Sequence, residues 1–164
     1  MRQCVTTGDS VTAVSLHLIR HALAGMRGAG GVDDDLRPLD AVGRAQADRL
    51  ATHLADRAIT RVLSSPAVRC VETVAPTASQ HGLDVESTQL LAEGASPVAV
   101  VELVESLVGQ EIALCSHGDV IPEVIRRLTR RGMVATGEVG YAKGSLWTLD
   151  ANGPRIARAS YHSF

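Results

Sequence analysis

Short apolar runs alternate along this chain with segments of helical periodicity. Val14 to Arg20 is an apolar run with β-branched members and reads as a buried strand. Ala22 to Asp35 is glycine-rich and ends in three consecutive acids, so it reads as a flexible loop. Asp40 is a good N-cap for a helix over Ala41 to Ala55, in which Ala47, Leu50, Ala51 and Leu54 recur at helical spacing. Ile59 to Ser65 predicts a second strand. Pro66 then opens a helix from about Ala67 to His81, where its missing N–H is not needed.

The second half repeats the alternation. Gly82 to Thr88 holds a weak strand, followed by a loop through Leu90 to Gly94. Ser96 caps a predicted helix from Pro97 to Val108. Glu111 to Gly118 is a third clear strand that stops at a turn, and Asp119 to Arg131 is helical, with Pro122 tolerated in the first turn. Ser145 to Asp150 and Arg155 to Tyr161 flank Ala151 to Pro154, an Asn-Gly turn that predicts a β-hairpin. The order predicts a three-layer α/β/α fold, with helices on both faces of a mostly parallel, mixed sheet. The expected organisation is a leader over residues 1–12 and one domain over 13–164.

Composition narrows the partners. A chain of 164 residues suits one domain, and a net charge of -2 does not favour a nucleic acid polymer or an anionic membrane. Aromatic residues make up only 2%, which disfavours a surface for stacking bases. Cys4, Cys70 and Cys115 have neither disulfide-framework nor zinc spacing and read as thiols in a reducing compartment. No apolar run approaches the roughly 18 residues of a membrane span, and the first ten residues lack the apolar stretch of a signal peptide, so a cytoplasmic protein is expected. Oligomeric state is not readable.

In open α/β sheets, sites lie beyond the carboxyl ends of the strands. The first strand ends at Arg20 and His21. The second ends at Ser64 and Ser65, with Arg69 one turn into the next helix. The third ends at Ser116, His117 and Gly118. If these strands are neighbours, one rim gathers two arginines and two histidines, a set suited to a phosphoryl group. Guanidinium groups give rigid bidentate donors to phosphate oxygens. A neutral histidine can attack phosphorus, and a second can donate to the equatorial oxygens. Glu93 is placed to protonate a leaving oxygen. Arg27, Ser65 and Lys143 are further candidates for contacting substrate.

Each residue alone has an ordinary alternative. Arg20 is a strand-end surface charge, Arg69 a solvent-facing helix charge or a partner of Glu72, and His117 a cap before a glycine turn. Arg27 is a mobile loop arginine, Lys143 a turn lysine, Ser65 a helix cap and Glu93 a common loop acid. His17 reads as a packed polar residue, and His53, His81 and His162 as surface residues. Asp33 to Asp35 reads as a solvated acidic loop rather than a magnesium site. There is no P-loop, dinucleotide fingerprint or nucleophile elbow. No metal and no cofactor is called for.

Four segments together resemble the histidine phosphatase superfamily, the phosphoglycerate-mutase-like fold. LIRHALAG, Leu18 to Gly25, is similar to its Arg-His signature, with Ala22 where glycine is usual. RPLDAVGRAQA, Arg37 to Ala47, resembles the next segment, where a leucine, a capping residue, a glycine and a glutamine recur. SSPAVRCVET, Ser64 to Thr73, and CSHGDVI, Cys115 to Ile121, are similar to the segments supplying the second arginine and second histidine. The resemblance implies that His21 is the residue phosphorylated, that Arg20, Arg69 and His117 form the phosphate pocket, and that Glu93 lies in the proton-donor loop. The short chain is most similar to SixA-like proteins and to the phosphatase domain that follows a Nudix domain in some actinobacterial enzymes. The expected function is a metal-independent phosphatase acting on a small phosphorylated metabolite or a nucleotide-derived phosphate. The alternatives are a SixA-like phosphatase of protein phosphohistidine, a mutase, and a non-catalytic phosphate-binding module.

Overall fold

The computed structural model describes residues 14–28 and 33–164. The expected leader over 1–12, Cys4 and part of the glycine-rich loop lie outside the described residues.

The strands are β1 (Ser15–Arg20), β2 (Arg61–Ser64), β3 (Val85–Ser87), β4 (Ile112–Ser116), β5 (Val134–Thr136), β6 (Leu146–Asn152) and β7 (Arg155–His162). They form one sheet in the order β3-β2-β4-β1-β6-β7-β5. β1, β2, β3 and β4 pair in parallel, and β5 pairs in parallel with β7. β6 pairs antiparallel with both β1 and β7. The hairpin therefore adds one reversed strand, because β7 turns back to the direction of β1. The helices are α1 (Ala41–Leu54), α2 (Val68–Gln80), α3 (Pro97–Ser106) and α4 (Ile121–Arg130).

Successive strand residues point to opposite faces, and this alternation builds two cores. Leu16, Leu18, Ile112 and Leu114 pack with Val100, Val104, Ile121, Val124 and Leu128 of α3 and α4. Ile19, Val62, Ala113 and Cys115 pack on the other face with Leu50, Leu54, Cys70 and Val74 of α1 and α2. β1 and β4 are thus covered on both faces, as their continuous apolar runs predict.

Two predictions change in detail. The glycine-rich loop is not wholly free: Ala22 and Ala24 are buried, Ala24 bridges to Leu39, and Asp34–Leu36 forms a 3-10 turn capped by the Asp33 side chain. β5 is not foreshadowed by any pattern. It is a three-residue edge strand with Val134 exposed, too short and too solvated to show periodicity.

Among the described residues, no helix is long and apolar enough to cross a membrane. None of their His, Cys, Asp and Glu side chains form a group of three or more that could hold a metal ion.

Candidate functional site

The strand order makes β2, β4 and β1 adjacent, so their carboxyl ends share one rim. The register places Arg20 beside Ser116 and Ser64 beside Cys115. The ladder continues past the strand ends, where His21 N donates to Ser116 O (3.0 Å) and Ser65 N to Cys115 O (2.9 Å). Because β6 runs the other way, its start meets the same rim: Arg20 N donates to Ser145 O at 3.0 Å. That topology brings Lys143 to the site.

Arg20, His21, Arg27, Glu93, His117 and Lys143 all line one cleft of about 490 Å³, together with Ala24, Gly25, Met26, Arg37, Asp40, Gly118 and Asp119. Among the described residues, no Phe, Tyr or Trp lines it. Arg69 and Ser65 lie just behind, both buried. A larger cleft, about 630 Å³, sits away from this rim over His17, His53, Arg57 and His162. Two of its basic groups share one buried partner: His17 bonds Glu111 (2.8 Å), as do Arg57 (2.6 Å) and the Ser15 N–H (2.7 Å). His17 is the packed polar residue expected, and takes no part in the rim cluster. His53 is exposed, whereas His81 and His162 are half-buried, His81 against Leu54 O.

His21 is buried, and its Nδ1 donates to Ala22 O at 2.8 Å. That bond fixes the tautomer and leaves Nε2 with its lone pair. Burial lowers the His21 pKa to about 4; His117, Arg69 and Arg20 push the same way, and only the bond to Ala22 opposes them. The ring is therefore uncharged at neutral pH. His117 lies edge to face with it, centroids 5.4 Å apart. Arg69 can only donate, so its 3.3 Å contact makes His117 Nδ1 an acceptor, and His117 Nε2 donates to Ser65 Oγ at 2.8 Å. Ser65 Oγ also accepts weakly from Ala67 N at 3.3 Å, but Ala67 is itself the N-cap residue of α2 and the helix has no side-chain cap, so Ser65 positions His117 rather than capping the helix.

Arg69 is neither a solvent-facing charge nor a partner of Glu72. It is fully buried and donates to Asp34 O (2.7 Å) and Glu93 Oε2 (2.9 Å). Glu72 accepts instead from Leu39 N at 2.7 Å. Nor is the acidic run simply solvated: Asp34 is half-buried and takes Arg37 Nε at 2.9 Å, a bond that holds its carboxyl below the usual range. Arg27 is exposed but paired with Glu93 at 2.6 Å. Arg20 donates to Tyr141 O and lies flat over Gly118.

Several supporting residues carry no catalytic motif. A Cβ on Gly118 would sit 2.5 Å from Arg20 Cζ, so the glycine makes room for the guanidinium. Gln46 accepts from Leu23 N (3.0 Å) and donates to Lys143 O (2.9 Å), tying the loop after β1 to the segment before β6. A Cβ on Gly43 would lie 1.8 Å from Leu23 O. Thr73 accepts from Ala22 N (2.9 Å) and donates to Arg69 O (2.6 Å). Asp119 accepts from Gly94 N at 2.8 Å and anchors the Glu93 loop. The glycine and glutamine of the Arg37 to Ala47 segment were visible as a resemblance; what they touch was not. Cys70 and Cys115 are free and buried, as expected, and Cys70 Sγ lies 3.5 Å from His117 Nε2.

A mostly parallel α/β sheet whose central strand ends converge on two histidines and two arginines defines a protein of the phosphoglycerate-mutase-like fold. The chain belongs to the histidine phosphatase superfamily: residues 16–96 match the superfamily's branch 1. It is 32% identical over 151 residues to the 8-oxo-(d)GTP phosphatase of Mycolicibacterium smegmatis, covering 89% of this chain and 47% of that one. The chain thus spans less than half the length of that relative. Among solved structures it resembles a protein assigned as the phosphohistidine phosphatase SixA of Agrobacterium tumefaciens, with a TM-score of 0.69 and 25% identity, over 84% of this chain and 92% of that one. A protein assigned as the phosphohistidine phosphatase SixA of Nakamurella multipartitia shares the fold, with a TM-score of 0.71 at 24% identity, over 92% of this chain and 94% of that one.

Proposed function

We propose that this chain hydrolyses phosphoryl groups through a phosphohistidine formed on His21, and that its substrate is phosphohistidine on a protein. The observation that carries the mechanism is the tether of His21 Nδ1 to Ala22 O, which leaves Nε2 as an uncharged nucleophile beside two arginines. His21 Nε2 attacks phosphorus, the bond to the leaving nitrogen or oxygen breaks, and the leaving atom takes a proton. Glu93 supplies that proton when the leaving group is an alkoxide. Water then attacks the phosphohistidine, the N–P bond breaks, and inorganic phosphate leaves with His21 restored. Arg20 and Arg69 hold the equatorial oxygens. His117 lies beside them and orients Arg69 through Nδ1.

The protein substrate is supported by the open cleft and by the match to SixA-assigned chains over more than nine-tenths of their length. A second reading, a nucleotide-derived phosphate, is favoured by the 32% identity to the 8-oxo-(d)GTP phosphatase. Among the described residues the cleft has no Phe, Tyr or Trp, which counts against tight stacking of a base.

The test is acid-free quenching with labelled substrate. Wild type is expected to trap an acid-labile, base-stable adduct, and His21→Ala to lose both adduct and turnover. Full turnover in His21→Ala overturns the mechanism. Comparing a phosphohistidine peptide with nucleoside diphosphates separates the two substrate readings by kcat/KM.

A further inference from the structure

Four charged side chains close a ring that runs from buried Arg69 behind the cleft to exposed Arg27 on its lining. Arg69 Nη2 donates to Glu93 Oε2 at 2.9 Å, and Arg27 Nη2 donates to Glu93 Oε1 at 2.6 Å. Arg27 Nη2 also lies 3.4 Å from Asp34 Oδ2, and the same oxygen lies 3.3 Å from Arg69 Nη1. The signs alternate around the ring, so its formal charges cancel.

The ring is unevenly anchored. The Arg69 side chain is 1% exposed and Asp34 is 29%, against 39% for Glu93 and 66% for Arg27. Asp34 is also held by Arg37 and by its place in the 3-10 turn. Among the described residues, the Glu93 carboxylate has only the two arginines as partners. Glu93 and Arg27 are therefore the side that can open.

Arg69 Nη2 is shared between Glu93 and His117, and Nη1 is taken by Asp34. A phosphoryl group that engages Arg69 Nη2 competes there with the Glu93 carboxylate, the nearer of its two partners and the charged one. A singly charged anion would exchange one carboxylate for its like and lose the Arg27 contact. A dianion brings more charge and more acceptor oxygens, enough to reach Arg20 and His117 as well. Resting on the phosphoryl-binding reading above, we propose that Glu93 is a built-in competitor for the phosphoryl site, held there by Arg27, so that the cleft admits phosphoryl dianions and turns away carboxylates. Glu93 and Arg27 then determine specificity by charge, a role separate from proton donation.

The experiment is calorimetric titration of the full chain with tungstate, a dianion, at neutral pH, with and without formate. Wild type is compared with Glu93→Gln, which removes the charge, and Glu93→Asp, which keeps it but falls short of Arg69. Both variants are expected to bind tungstate about fivefold tighter, the scale of one partly exposed ion pair. Formate is expected to compete in the variants and not in wild type. Unchanged affinity in both variants, wild-type affinity in Glu93→Asp, or formate competition in wild type each overturns the proposal. Equal binding by all three proteins overturns the competitor alone, whereas no tungstate binding by any of them overturns the phosphate pocket as well.

Discussion

His21 and His117 meet edge to face, with centroids 5.4 Å apart and planes at 64°. They come from the ends of two adjacent parallel strands, and each is tied to a different anchor: His21 Nδ1 to Ala22 O, His117 Nε2 to Ser65 Oγ. Two imidazoles this close, beside Arg20 and Arg69, cannot both gain a proton cheaply. Burial and these neighbours keep His21 in the form that can attack phosphorus.

That protonation state has a pH signature. The folded-state pKa of His21 is depressed from 6.5 to about 4, so the unfolded chain binds the proton first as pH falls. The associated stability is present above pH 6.5 and is lost between 6.5 and about 4, on the order of 3 kcal/mol in all. Denaturant titrations across this window are expected to show a shallower loss for His21→Asn than for wild type. Parallel losses in the two proteins would remove His21 as the source.

Gly118→Ala should separate function from folding. The new Cβ meets the far end of the Arg20 side chain, 2.5–2.7 Å from its guanidinium atoms, and that end can swing away. The melting temperature is expected to change little. Displacing Arg20 by about 1 Å should lower kcat/KM on the order of 10²-fold. Steady-state kinetics beside a thermal melt checks both.

Gly43→Ala is expected to do the reverse. Its Cβ would sit 1.8 Å from Leu23 O, which is backbone and has no rotamer to escape into. Destabilisation should exceed about 3 kcal/mol, beyond ordinary overpacking. Gln46→Ala, which leaves Leu23 N and Lys143 O without their partner, should cost about 1–3 kcal/mol. Chemical denaturation of the two variants gives the ranking.

Ser65→Ala removes the acceptor for His117 Nε2. The fold keeps the ladder bond from Ser65 N to Cys115 O, so the loss of stability should not exceed the about 1–3 kcal/mol of one buried donor left unpaired. A ring free to rotate is expected to lower kcat about tenfold, the size of one hydrogen bond of ~1.4 kcal/mol in the transition state. A change in KM alone would place Ser65 in binding instead.

The apolar runs of β1, β2 and β4 end in polar residues, and that pattern alone marked Arg20, His21, Arg69 and His117 as candidates. Strand pairing is local in its signature, because a run buried on both faces must be apolar throughout. The place of Glu93 was legible only as a loop after a weak strand. Its two arginine partners were not, because Arg27 and Arg69 are distant in sequence and meet only when the loop before α1 folds over α2. Arg69 could not be told from a solvent-facing helix charge for the same reason. The reversal that brings Lys143 to the rim depends on β6 inserting beside β1, and no residue in the KGS segment announces it.

Sequence by itself thus determined the layers, the Asp40 cap of α1 and the residue types at the strand ends, since periodicity, capping and turn chemistry act between near neighbours, although Ser96 begins α3 without a side-chain cap bond. Only the tertiary structure decided which charges pair, which glycine makes room for a guanidinium and which carboxylates stand at Arg69. Those outcomes depend on distances of a few ångströms between segments far apart in the chain, and burial, which sets their strength, exists only once the segments have packed.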